Sequence, residues 1–223
     1  MIKLVAFDWN GTLFADTKAI VDADNVVLKK LGLPSITVKH FRNVFAIPLI
    51  EYYAACGIDR EYFLKNQETI TKLFHGEYEE RVKHVRTRSG TRIILDRLMR
   101  QNIPAIIFSN HTHDGIHFQL RRLKMAGYFK EILARTLLSG PVENRIKGAK
   151  LEEYVENNNY KKLEVLIVAD GVEEIEIGKT LGIPCAAISG GFTSTVRLKG
   201  AQPDYLIHNL VELDGIINKL NVA

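Results

Sequence analysis

The stretch Ile2–Thr12, IKLVAFDWNGT, decides the fold. An apolar run ends abruptly in the carboxylate of Asp8, followed by a second polar side chain at Asn10 and then Gly11-Thr12. A short apolar run bounded by a turn signal reads as a strand buried on both faces, the kind found in parallel sheets. Asp8 then stands at the strand's carboxyl end, the edge where open α/β sheets bind ligands. Gly11 lets the backbone turn where a side chain would not fit. That edge offers one acid and free backbone N–H groups to whatever enters the crevice.

Two later runs end the same way. IPAIIF at 103–108 leads into Ser109-Asn110, and LEVLIV at 163–168 leads through Ala169 into Asp170. Residues 185–188 and 205–207 supply further strands, and Ile132-Leu133 a short one. Helical periodicity fills the gaps. Ser89 reads as the cap of a helix reaching Gln101, with Ile93, Ile94, Leu95 and Leu98 facing inward. Other helices are expected after Asn110 to about Met125, over 150–157, 174–181 and 211–220. Alternating strands and helices imply a parallel sheet covered on both faces. Between about Asp16 and Arg86 nothing resembles a buried strand, and three stretches with helical spacing are broken at Pro34 and Pro48. The expected architecture is α/β: a Rossmann-like doubly wound parallel sheet from residues 1–15 and 86–223, with a small all-helical cap domain over 16–85.

Composition narrows the functional classes. The chain has 223 residues, 46% hydrophobic and 25% charged, which is the profile of a soluble globular protein. Its net charge of +4 arises from 30 basic and 26 acidic residues spread along the chain. No basic stripe interleaved with aromatics appears, so nucleic acid is not expected as a partner. The densest basic patch, His84 to Arg88, reads as a solvated linker. No apolar stretch reaches membrane-spanning length, so no membrane is expected. Cys56 and Cys185 lie far apart in unlike contexts, which excludes a disulfide framework. The N-terminus runs straight into the first strand with no room for a signal peptide, and a cytoplasmic location is expected. Oligomeric state leaves no mark in the sequence.

In a parallel sheet the ends of distant strands gather at one edge, so Asp8, Ser109 and Asp170 are expected to converge. Two carboxylates there can share a divalent cation, and magnesium suits an all-oxygen site. Ser109 and Asn110 can hold phosphate oxygens, and a nearby lysine can neutralise nucleophile and phosphate together. His111, His113 and His117 show no fixed ligand geometry and read as loop residues. Tyr52, Tyr53, Tyr62, Phe63 and Phe74 recur at core-like helical spacings. Asp22 and Asp24 read as helix surface, while Arg42 and Lys39 could meet an anionic substrate or lie on a solvated face.

Four segments in this order resemble the motifs of the haloacid dehalogenase superfamily. Motif one is Asp8-Trp9-Asn10-Gly11-Thr12, motif two is Phe108-Ser109-Asn110, motif three is Lys147 with Lys150 as the fallback, and motif four is VLIVADGVEE at 165–174. The resemblance implies an aspartyl-phosphate nucleophile at Asp8, with Trp9, Gly11, Thr12, Ser109 and Asn110 around the phosphoryl group. It implies magnesium held by Asp8, Asp170 and the backbone carbonyl of Asn10, with Glu174 nearby. The expected reaction is magnesium-dependent hydrolysis of a small phosphorylated metabolite. This chain departs from the family at Asn10, where the usual second Asp protonates the leaving group and then activates water. An amide cannot perform that exchange, so a slowed phosphatase is expected. A non-catalytic phosphate-binding descendant is one alternative. A phosphonate-cleaving enzyme is another, since its relatives share Asp-Trp-x-Gly-Thr. That reading needs a cap lysine, from among Lys29, Lys30, Lys39, Lys65 and Lys72. Asn10-Gly11 is also a deamidation-prone pair that could restore the usual acid.

Overall fold

The computed structural model describes residues 1–136 and 144–222. Strand β1 (Leu4–Phe7) lies at the middle of a six-stranded sheet of order β3-β2-β1-β4-β5-β6. The others are β2 (Ala105–Thr112), β3 (Phe129–Arg135), β4 (Val165–Ala169), β5 (Cys185–Ile188) and β6 (Tyr205–Ile207). Every pairing is parallel.

Strand alternation explains why both faces are covered. Val5, Phe7, Ile107, Leu166 and Val168 belong to one buried cluster, while Leu4, Ala6, Ile106, Phe108, Val165 and Ile167 belong to the other. Helices α5 (Thr91–Arg100), α6 (His113–Arg122) and α10 (Leu213–Val222) close the first face through Leu95, Leu98, Leu120 and Ile217. Helices α7 (Asn144–Asn157), α8 (Val172–Leu181) and α9 (Thr195–Gly200) close the second through Leu151, Val155, Ile175 and Leu198. Each strand residue on either face exchanges water for hydrocarbon, at about 25 cal/mol per Å² of apolar area buried.

Four helices separate β1 from α5: α1 (Thr17–Lys30), α2 (Val38–Val44), α3 (Leu49–Ala55) and α4 (Arg60–Val82). Their apolar residues Val27, Leu28, Phe41, Tyr52 and Phe63 continue the first cluster, so the insert and that face of the sheet share one core. The expected parallel sheet covered on both faces is present, with local corrections. Gly90, at φ 84°, rather than Ser89, precedes α5, and the Thr91 hydroxyl donates to the Arg88 carbonyl at 2.8 Å. Ile93 is 51% exposed, because the inward stripe of that helix runs through Ile94, Leu95 and Leu98 alone. Strand β3 is longer than its two-residue core, since edge strands tolerate Lys130 and Glu131 pointing to solvent. Helix α7 begins at Asn144, ahead of the predicted start at Lys150.

Candidate active site

The register of β1 with its two neighbours assembles the site. Phe7 pairs with Ile107 on one side and Val168 on the other, so the polar residues that follow each run emerge along one edge. β1 and β4 flank the point where the chain reverses its direction of travel across the sheet, the usual position of a ligand crevice. A cavity of about 190 Å³ opens there, with Asp8, Asn10, Ser109, Asn110, Lys147 and Asp170 in its wall.

Lys147, near the start of α7, is the lysine brought to Asp8. Its Nζ donates to Asp8 Oδ1 at 2.7 Å and also to Glu174 Oε1, and it lies 4.8 Å from the ring centroid of Phe108. Lys150 instead donates to the Ala134 carbonyl, outside the cavity. Burial opposes charge on Lys147, but the facing carboxylates of Asp8 and Glu174 outweigh it and hold the ammonium above its ordinary range. Asp8 is pushed up to about 7, mainly by burial, against the pull of Lys147. Burial likewise raises Asp170 to about 7, although Thr12 and the Phe192 N–H pull it down.

Thr12 Oγ1 donates to Asp170 Oδ1 at 2.5 Å and lies 3.3 Å from Asp8 Oδ2. The Phe192 N–H holds the other oxygen of Asp170. Backbone crowds this carboxylate so closely that a Cβ on Gly11 would stand 2.3 Å from Asp170 Oδ2, and one on Gly191 only 2.0 Å. Gly11, at φ +72°, is therefore required on both conformational and steric grounds. Ser109 is buried and its Oγ accepts the His111 N–H at 3.2 Å, while Asn110 donates to Glu173 Oε2 at 2.7 Å.

The donor set fits magnesium. Four carboxylates (Asp8, Asp170, Glu173 and Glu174) line the cavity against the ammonium of Lys147, and the ligand atoms on offer are hard oxygens. Among the described residues no three acidic, His or Cys side chains converge as a ready-made cage. A site built on two carboxylates plus a backbone carbonyl does not require one.

Some expected residues lie elsewhere. The indole of Trp9 is fully buried and stacks on Phe14 at 5.1 Å, away from the cavity. The Gly11 N–H is spent on Phe14 O and Asp16 Oδ1, both at 2.9 Å. Attack by that nitrogen on the Asn10 side chain would have to break both bonds, which disfavours deamidation. Lys29, Lys30, Lys39, Lys65 and Lys72 are all exposed, and none lines the cavity, so no cap lysine stands ready for a Schiff base.

Other residues were missed or misread in the sequence. Asp24 is buried and accepts hydroxyls from Tyr52 at 2.6 Å and Tyr53 at 3.1 Å, rather than lying on a helix surface. Arg42 is no free surface cation: it donates to the carbonyls of Gly190 at 2.6 Å and Gly191 at 2.8 Å. Arg88, read as linker, clamps Gly11 O at 2.7 Å and Ser189 O at 2.6 Å, tying the motif-one turn to the loop after β5. Glu173 carries a buried oxygen, Oε1, without a hydrogen-bond partner. Asp16 is fully buried and takes Asn10 Nδ2 at 2.7 Å, Tyr78 Oη at 2.8 Å and the Gly11 N–H. Burial pushes Asp16 up to about 6, and those donors hold it back. A second cavity of about 160 Å³ adjoins the first through Asn10, Asn110 and Phe192, and reaches the cap residues Phe74, His75 and Tyr78. His111 also lines it, pushed down to about 4 by burial and by His75, so its imidazole is neutral; His113 and His117 do not reach it.

Residues 5–188 match the family of haloacid dehalogenase-like hydrolases, and the chain belongs to that family. It is 23% identical over 212 residues to a phosphoglycolate phosphatase of Pseudomonas putida, spanning 93% of this chain and 77% of that protein. A phosphoglycolate phosphatase of Photorhabdus laumondii is 24% identical over 216 residues, spanning 95% of this chain and 91% of that one. A solved haloacid dehalogenase-like hydrolase from Streptococcus pneumoniae shares the fold at a TM-score of 0.80 and 19% identity, covering 97% of this chain and 98% of its own. No helix among the described residues is long and apolar enough to cross a membrane.

Proposed function

We propose that this chain is a magnesium-dependent hydrolase of small phosphorylated metabolites, working through a phosphoryl group carried on Asp8. The observation that carries the reading is the buried ion pair of Lys147 with Asp8, set in a cavity that also presents Ser109, Asn110 and Asp170. The phosphoglycolate phosphatase names of two similar proteins support it.

In this reading residues 1–15 and 86–223 form the catalytic core, and the helical cap over 16–85 closes the cleft. Lys147 opposes the protonation of Asp8 that burial favours and aims its carboxylate, and its ammonium, together with the Ser109 hydroxyl and the Asn110 amide, receives the phosphoryl oxygens. Attack by the Asp8 carboxylate displaces the leaving group and forms the acyl phosphate. Water then attacks that acyl phosphate and frees Asp8. Asp8, Asp170 and the Asn10 carbonyl, with Glu174 close by, would hold magnesium, which would supply charge neutralisation for nucleophile and phosphate. Asn10 lends no proton to the leaving group, so alkyl esters turn over slowly.

Phosphate release from a panel of phosphorylated metabolites that includes phosphoglycolate, with and without magnesium, tests the proposal against the Asp8→Asn protein. Magnesium-dependent release lost in Asp8→Asn is the expected result. Release undiminished in Asp8→Asn would overturn it. Phosphate binding with no release by the unaltered chain would favour a phosphate-binding descendant, the reading that Asn10 keeps in view.

A further inference from the structure

The amide of Asn10 is not free to choose which end it shows the cleft. Its Nδ2 donates to Asp16 Oδ2 at 2.7 Å and to Tyr78 Oη at 2.9 Å, so both N–H bonds are spent behind it. Tyr78 donates its own proton to Asp16, and the Gly11 N–H takes the remaining oxygen of that carboxylate. Asp16 thus faces donors only, and turning the amide over would set Oδ1 against a carboxylate oxygen. The network fixes the orientation that an isolated amide would leave open. Oδ1 has no partner among the described residues, and Asn10 walls both cavities at their junction.

Position 10 therefore presents an acceptor where a leaving group departs. The carboxylate of Asp16 behind the amide polarises it and makes Oδ1 a stronger acceptor still. An ester's bridging oxygen has only lone pairs to offer such a group, and the contact is repulsive. A nitrogen in that place, protonated or bearing N–H, donates to it directly. Beside this acceptor His111 is neutral, and Tyr78 and Phe74 offer aromatic faces to the departing nitrogen.

We propose that the site is built for phosphoramidates, substrates in which the bond to phosphorus is P–N, with Asn10 Oδ1 receiving the N–H of the departing amine and with Asp16 and Tyr78 as the positioning residues. The inference rests on the hydrolase reading above and names its substrate class. In the first step the Asp8 carboxylate oxygen bonds to phosphorus while the P–N bond breaks. Its electron pair returns to nitrogen, so a zwitterionic phosphoramidate releases a neutral amine and no acid is needed. In the second step water bonds to phosphorus, the acyl O–P bond breaks, and dihydrogen phosphate leaves with Asp8 again a carboxylate. Charge and protons balance in both steps without a proton passing through Asn10.

Three simple probes separate the possibilities: phosphoramidate, acetyl phosphate and phosphoglycolate, each measured as phosphate release with magnesium at neutral pH. Each rate is corrected for release in the presence of Asp8→Asn protein, and peptide mass spectrometry verifies intact Asn10. A single well-placed hydrogen bond predicts a kcat/KM for phosphoramidate about tenfold above that for acetyl phosphate. In Asn10→Asp, general acid catalysis returns for esters alone, and the ratio of phosphoramidate to phosphoglycolate falls by about 100-fold. Tyr78→Phe keeps the cap ring but frees one amide N–H, and lowers the same ratio without abolishing turnover. Phosphoramidate and acetyl phosphate cleaved equally well would mean only that the acid is missing, and would overturn the matched acceptor. Phosphoglycolate cleaved fastest by the unaltered chain would overturn the inference while leaving the hydrolase intact. Release from none of the three would overturn both.

Discussion

The carboxylates of Asp8 and Asp170 share a single hydroxyl. Thr12 Oγ1 stands 2.5 Å from one and 3.3 Å from the other, and its one proton can serve only one of them at a time. Two buried acids this close to a common atom repel unless a cation lies between them. Magnesium should therefore stabilise the fold as well as serve the reaction. At a concentration one hundredfold above its Kd, a ligand specific to the native state contributes about 2.7 kcal/mol. Thermal unfolding with magnesium, with chelator, and in the Asp170→Asn protein measures this. The expected rise in Tm is lost in the variant; an equal rise in both would place the ion elsewhere.

Lys147 is the counter-charge to this cluster. Truncating one member of a buried ion pair costs about 3–5 kcal/mol, because the partner's charge is left uncompensated. Lys147→Met should lower stability on that scale, and Asp8 should bind protons more readily. Chemical denaturation supplies the number, and a loss below the range for surface pairs would contradict the buried geometry.

In the proposed mechanism, Asn10→Asp would place an ionisable group at the leaving-group side. Its expected effect is a rise of about 10²–10⁴-fold in kcat for alkyl phosphates, the range of general acid–base catalysis. Steady-state phosphate release at saturating phosphoglycolate is the measurement.

Asp24 makes stability depend on pH. Burial lifts its carboxyl from 3.8 to about 7, although Tyr52 and Tyr53 donate to it. Between those values the folded chain holds a proton that the unfolded chain releases, so its contribution is full below pH 4 and is lost as pH rises through about 7. The swing is about 4 kcal/mol. Asp24→Asn keeps an acceptor for the tyrosines and removes the titration. Denaturant midpoints followed from pH 4 to pH 8 should fall less steeply in the variant, and superimposable profiles would refute the assignment.

What the sequence disclosed, and what it withheld, follows from the range of the interactions involved. Asp8, Ser109 and Asp170 were legible because strand ends in a parallel sheet are fixed by local apolar runs and a simple topological rule. Lys147 was legible only with the resemblance, since a lone lysine on a helix carries no local signature. Asp16 was read only as a helix start, and Asp24, Arg42 and Arg88 could each be read as surface or linker, because charged residues are exposed by default. Their actual partners, Tyr78, Tyr52, Gly190 and Gly11, come from segments dozens of positions away, and no periodicity announces such pairings. Trp9 was expected to act through its backbone N–H rather than its ring, and its indole is indeed buried against Phe14.

Phe192 has a double attachment. Its N–H grips Asp170, while its ring meets Phe41 at 5.5 Å and Phe45 at 5.2 Å, both contributed by the insert. One residue thus gears the tilt of the upper helices to the aim of a carboxylate at the heart of the crevice. Ligands that draw those helices down would tighten the hold on an ion, and ligands too bulky to permit it would loosen that hold, so selectivity for size and affinity for the ion would be felt through the same joint.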